Sequence, residues 1–164
     1  MKKYLFILLI CFGCNSPKPT NVAKTEVNDL LDQWHKAAAE ANFNDYFNLM
    51  SEDAIFIGTD ATENWNKTDF MAYSKPYFDR GKAWSFTALE RNVFIAEDGK
   101  SAWFDELLNT QMKICRGSGI LINENNQWKI KHYVLSMTIP NENSNVVIKA
   151  KDSIELALIQ KLQK

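Results

Sequence analysis

The chain has 164 residues, 46% of them hydrophobic and 24% charged, with a formal net charge of −1 at pH 7. This composition suits one globular domain with a core of its own and excludes a disordered tail, a collagen-like repeat and a polybasic nucleic-acid binder. Aromatic residues reach 12%, including 5 Trp, a surplus that points to rings lining a cavity as well as filling a core.

The chain begins Met1-Lys2-Lys3, continues through the apolar run Tyr4 to Ile10 and reaches Cys11-Phe12-Gly13-Cys14. A basic start and an apolar run too short to span a bilayer form an export signal. Its ending resembles the lipobox of bacterial lipoproteins, although Cys11 and Phe12 depart from the usual residues. The resemblance implies a signal peptide over 1–13, lipid on Cys14 and a protein held on the periplasmic or outer side of a membrane by that lipid alone. Ordinary signal-peptidase cleavage would instead release a soluble protein. Removing residues 1–13 takes away Lys2 and Lys3 and no acid, moving the balance from −1 to −3. Cys115 is then left without a disulfide partner. Residues 14–23, with Pro17 and Pro19, read as a tether.

The folded domain is placed at 24–141. Val27, Leu30, Leu31, Trp34, Ala38 and Ala41 follow the spacing of an amphipathic helix, and a second short helix is expected over 44–50. Ala54 to Gly58 reads as a strand. Asn66, with Asp69 three residues on, reads as the cap of a third helix that ends or kinks near Pro76 and stops at Gly81. Four strands follow over 84–96, 101–112, 114–124 and 127–139, divided by turns at Asp98-Gly99, near Lys113 and at Asn125-Asn126. Residues 142–164 form a polar tail whose Ile154, Ala157, Leu158 and Leu162 predict a further helix. Helices followed by an antiparallel meander make the fold class α+β.

Turn chemistry also fixes which residues share a face of the sheet. The first turn sets Arg91 against Glu106 and Val93 against Phe104; the last sets Leu121 against Ile130 and Gly119 against His132. Centring the middle turn on Met112-Lys113 sets Glu106 against Gly119, which lines up Arg91, Glu106, Gly119 and His132 on the apolar face. A cation, a carboxylate and an imidazole on such a face must pair or meet a cavity. The set is therefore either a buried ion pair beside a core histidine or part of a site. Asp60 and Glu63, after the first strand, are either acid/base groups at a pocket mouth or a turn cap and a solvated acid. His35, beside Trp34, reads as a flank of the core stripe. No HExxH, CxxC pair, phosphate loop or GxSxG occurs, so no metal site and no cofactor are expected.

Several stretches carry a family likeness: Gly58-Thr59-Asp60 to Glu63-Asn64-Trp65, Pro76-Tyr77-Phe78, Trp103-Phe104-Asp105-Glu106, Gly117-Ser118-Gly119, Trp128-Lys129-Ile130-Lys131-His132-Tyr133 with Leu135-Ser136, and Ile139-Pro140-Asn141. Together they resemble the SnoaL-like branch of the nuclear transport factor 2 (NTF2)-like superfamily. The resemblance implies a cone, in which N-terminal helices pack on a curved antiparallel sheet around a pocket, often as a homodimer. The superfamily spans isomerases, dehydratases, hydrolases, cyclases and non-catalytic modules, so a reaction does not follow. The general-base and oxyanion triad of the isomerase branch is not carried over to this chain.

The first functional expectation is a small, partly apolar ligand in a pocket lined by Trp34, Phe56, Glu63, Trp65, Tyr73, Arg91 and Trp128. Any cofactor-free catalysis there would use His132 with Glu106 or Asp60 as acid and base. The alternative is a non-catalytic assembly module that dimerises through the outer sheet face, using Phe94 and Trp103.

Overall fold

The computed structural model describes residues 19–163; the signal segment 1–13, Cys14 and the first part of the tether lie outside them. Helix α1 (Thr20–Ala39) buries Val27, Leu31, Trp34 and Ala38, the predicted stripe. Helix α2 (Phe43–Asn48) starts at Asn42, whose side chain accepts the Asp45 amide. Helix α3 (Lys67–Asp79) is capped by Asn66, which accepts the Asp69 amide at 2.9 Å, and it runs through Pro76 instead of stopping there. Pro76 is exposed in the last turn, so the backbone bond it removes is lost close to where the helix ends, before Gly81 at φ +71°.

The sheet has six strands in the order β2-β1-β6-β5-β4-β3. Strands β3 (Thr87–Ile95), β4 (Ser101–Thr110), β5 (Lys113–Glu124) and β6 (Gln127–Met137) form the antiparallel meander. Strand β1 (Met50–Ile57) joins β6 in parallel, and the short β2 (Asn64–Asn66) pairs antiparallel with β1, so the sheet is larger than the predicted hairpins and not wholly antiparallel. The three helices cover its concave face. Trp84 belongs to an irregular segment over 82–86 and not to β3, which begins at Thr87.

Arg91 faces Glu106, Val93 faces Phe104 and Leu121 faces Ile130, as the outer turns require. Asn125 and Asn126 both have positive φ, the backbone a tight two-residue hairpin needs. The middle turn differs. Thr110 pairs with Lys113, and the Thr110 hydroxyl accepts the Met112 amide while donating to the Lys113 carbonyl. This two-residue slip brings Gly117, not Gly119, opposite Glu106 and preserves the face of every side chain.

A bulge in β6 has the larger effect. Leu121 pairs with Ile130 but Ile120 pairs with His132, leaving Lys131 as the extra residue. Side-chain parity therefore reverses beyond it. Tyr133 and Leu135 turn into the core, and His132 and Val134 leave it. A second irregularity, between Ala88 and Glu90, turns Leu89 out to 57% exposure, although strict alternation from Arg91 and Val93 would put it on the core face. Beyond a turn of 3-10 helix at Asn141–Asn143, helix α4 (Ser144–Leu162) buries none of its residues. No helix among the described residues is long and apolar enough to cross a membrane.

Candidate functional site

Midway along β4, one strand in from the β3 edge, lies Glu106, 1% exposed. His35 Nε2 of α1 donates to its Oε1 at 2.8 Å, and Arg91 Nε of β3 donates to its Oε2 at 2.8 Å. Arg91 Nη1 donates in turn to Asp32 Oδ1 at 2.8 Å and to the Asn28 carbonyl at 3.2 Å, both on α1. The network ties α1 to β3 and β4 through one carboxylate. Burial disfavours the charge on Glu106, but the His35 hydrogen bond and the Arg91 charge outweigh it and hold the carboxyl below the ordinary glutamate value.

Opposite Glu106, Gly117 has no side chain because none fits. A Cβ there would overlap the Tyr133 hydroxyl and come within 3.0 Å of Glu106 Oε1. Burial first, and then the negative charge of Glu106, push the Tyr133 hydroxyl well above its ordinary value, so it stays a neutral phenol. Trp34 stacks on Tyr46 with ring centroids 4.8 Å apart and meets Tyr133 edge-on at 4.8 Å. This part of the cone is filled by side chains.

The open space lies to one side. A groove of about 170 Å³ runs between the ends of β1 and β2, α3, the 82–86 segment and the β4–β5 turn. One wall is a continuous set of rings: Phe56 stacks on Phe70 at 3.9 Å, Trp65 on Tyr73 at 4.6 Å, and Trp84 lies 5.8 Å from Phe70. Leu135 and Met112 supply apolar contacts and Glu63 a carboxylate. Hydrogen bonding with Tyr77 first, then burial and the charges of Tyr77 and Glu63, push the Tyr73 hydroxyl up to about 12, so it too remains neutral. Phe86 lines this groove and also packs edge-on to His35 at 5.9 Å, so its ring stands between the groove and the Glu106 network. A larger cleft of about 440 Å³ between α1 and α2 is lined mainly by polar side chains such as Lys36, Glu40 and Asp45 and has no such wall.

The predicted site residues therefore separate. Phe56, Glu63, Trp65 and Tyr73 line the groove. Arg91 and Glu106 pair as the register requires, but behind it. His132 does not join them, because the bulge at Lys131 moves it to the other face; His35 occupies the place assigned to it. Asp60 is exposed, and its Oδ1 accepts the Thr62 amide at 2.8 Å and the Thr62 hydroxyl at 2.6 Å, so it caps its own turn away from Glu106. Those same bonds lower its pKa. Trp34 is core, and Trp128 is buried with its Nε1 donating to Glu26 Oε2 at 3.1 Å. Trp84, Phe70 and Phe86 belong to the groove without having been singled out by the sequence.

Fold and site place the chain in a known class. A family model for the SnoaL-like domain matches residues 27–140, and the chain belongs to that family. Among solved structures, an NTF2-like protein of unknown function from Pseudomonas putida KT2440 is 15% identical over 76% of this chain and 92% of its own, with a TM-score of 0.65. A protein of the NTF2-like family from Streptomyces avermitilis, provisionally named a dehydratase, is 8% identical over 74% of this chain and 100% of its own, at 0.64. The association domain of CaMKII from C. elegans is 16% identical over 72% of this chain and 98% of its own, at 0.60. At these identities the likeness establishes the NTF2-like fold alone. No curated protein matches the chain.

The Glu106 network makes stability depend on acid in a defined direction. Because the folded carboxyl titrates below its unfolded value, its contribution is complete above the unfolded pKa of about 4.3 and is lost as pH falls through the folded value. Glu106→Gln should cost about 3 kcal/mol at neutral pH, since the buried Arg91 then keeps only the exposed carboxylate of Asp32 as counter-charge. It should also flatten the acid limb of a plot of urea midpoint against pH.

Proposed function

We propose that this SnoaL-like domain binds a small, partly apolar molecule in the groove walled by Phe56, Trp65, Phe70 and Trp84. The observation that carries the reading is the wall itself: a stacked set of rings lining open space, beside a region around Glu106 that side chains fill. At about 170 Å³ the groove is smaller than the roughly 300–1,000 Å³ of drug-sized sites, which favours a ligand of about one ring. The Glu106 network supports the walls. Both oxygens of its carboxylate are already committed to His35 and Arg91, so it is poorly suited to take a proton from a ligand.

Saturation-transfer NMR with 2-phenylethanol tests this. Trp65→Ala should weaken binding by about 3–10-fold, as expected for one aromatic contact, while Trp103→Ala on the outer face should leave it unchanged. Binding indifferent to Trp65→Ala would contradict the reading. The same proposal holds the domain at a membrane surface through lipid on Cys14. Expressed in a bacterium, the Cys14→Ser protein should then move from the membrane fraction to the soluble fraction, and unchanged partition would refute the anchor.

A second reading rests on the other face of the sheet. Phe94 pairs with Trp103, Trp103 with Ile120 and Ile120 with His132, forming one cross-strand row. Phe94, Trp103 and Ile120 are each more than 40% exposed, and the first two rings stack at 5.6 Å. Such a row suits association between two copies. Sedimentation should show a dimer that Trp103→Glu dissociates; a monomer at high concentration would remove this reading.

A further inference from the structure

The groove carries more information than its apolar wall, because its charge is one-sided. Glu63 is the one charged side chain among its lining residues; no Lys, Arg or His lines it. Tyr73 is held neutral, and Thr59 and Gln111 add only uncharged polar groups. The Glu63 carboxylate is also fixed in place. Its Oε2 accepts the Asp60 amide at 3.1 Å, and it folds over the end of β1 where Gly58 leaves room, since a Cβ at Gly58 would overlap that oxygen. Among the described residues no hydrogen bond or ion pair engages Oε1.

Aromatic faces are negative at their centres, and the partly exposed rings of Trp65, Tyr73 and Trp84 line the groove. A carboxylate at the mouth adds a full negative charge in a setting that is partly shielded from water. An anion entering this groove would be repelled by Glu63 and find no cation to pair with. A neutral ligand would gain the rings and hydrogen bonds to uncharged groups such as Thr59 and Gln111, with no charge paired. An ammonium group would meet both the carboxylate and the ring faces, two attractions of the same sign.

We propose that the ligand of this groove is a small organic cation, an ammonium group carried on a short apolar or aromatic body, with Glu63 as its counter-charge. This rests on the reading of the groove as a binding site and specifies the class of molecule bound there. Trp65 and Trp84 hold the body, Glu63 orients the charged head towards the mouth, and the Asp60 amide with Gly58 keeps the carboxylate aimed before the ligand arrives.

The test is a comparison of three compounds with one ring and different heads: 2-phenylethylamine, 2-phenylethanol and phenylacetate. Each is titrated by calorimetry into the full chain in detergent at neutral pH. The amine should bind at least about tenfold more tightly than the alcohol, and phenylacetate most weakly. Glu63→Gln, which keeps an oxygen for the Asp60 amide, should bring the amine to within about threefold of the alcohol. Raising salt in the wild-type protein should weaken the amine alone, a check that does not depend on the variant folding. Equal binding of amine and alcohol, both weakened in Trp65→Ala, would overturn the cation assignment while leaving the groove as the site. Tightest binding of phenylacetate would overturn it as well. Binding of none of the three would overturn both.

Discussion

Glu106 is the constraint on which the rest of the cone depends. It is a carboxylate with no access to water, in the middle of a strand whose neighbours on the same face are Phe104 and Leu108. A charge in that position is tolerable only if each oxygen has a donor and a cation stands nearby. His35 and Arg91 meet that condition from separate elements, and Asp32 meets it for Arg91. The consequence is geometric. Helix α1 has one rotation about its axis that directs Trp34 into the core and His35 onto the carboxylate. Strand β3 has one register that places Arg91 beside it. Apolar residues of similar volume could contribute as much stability, so the network is better understood as fixing which arrangement forms.

That constraint also decides where chemistry is possible. Tyr133 closes over Glu106 with Trp34 edge-on against its ring, and Gly117 gives the Tyr133 hydroxyl room beside the carboxylate. The centre of the cone is therefore spent on holding the fold. Open space survives where the sheet meets α3 and the 82–86 segment, with Phe86 between the two regions. A shared fold does not fix a function, so the site must be argued from its own residues.

The sequence made some of this legible and hid the rest for identifiable reasons. Asp98-Gly99 is a strong turn signal, and counting from it gives the Arg91–Glu106 pair directly. The role of His35 was not readable, because helical periodicity tells which residues face inward but not which strand residue they meet. His132 was misplaced by one extra residue. Alternation from Trp128 and Ile130 predicts His132 and Val134 inward, whereas the bulge at Lys131 makes it Tyr133 and Leu135. A signal was present: on the far side of Lys131 the more apolar alternate set changes parity, which is what a bulge does to a strand pattern. The aromatic surplus was informative only in part. Counting rings could not separate Trp34 and Trp128, which are buried, from Trp65 and Trp84, which face the groove. In the groove that distinction depends on β2, a strand of three residues, and on an irregular segment, neither of which has a periodicity to detect.

The central claim is that ligand recognition belongs to the Glu63 groove and structural support to the Glu106 network. A crystal structure of the protein soaked with 2-phenylethylamine tests it most directly. The account predicts the ring against Trp65 and Trp84, the ammonium beside Glu63 and the His35–Glu106–Arg91 contacts unchanged. A ligand lodged past Phe86 against Glu106, with the His35 hydrogen bond broken, would contradict it.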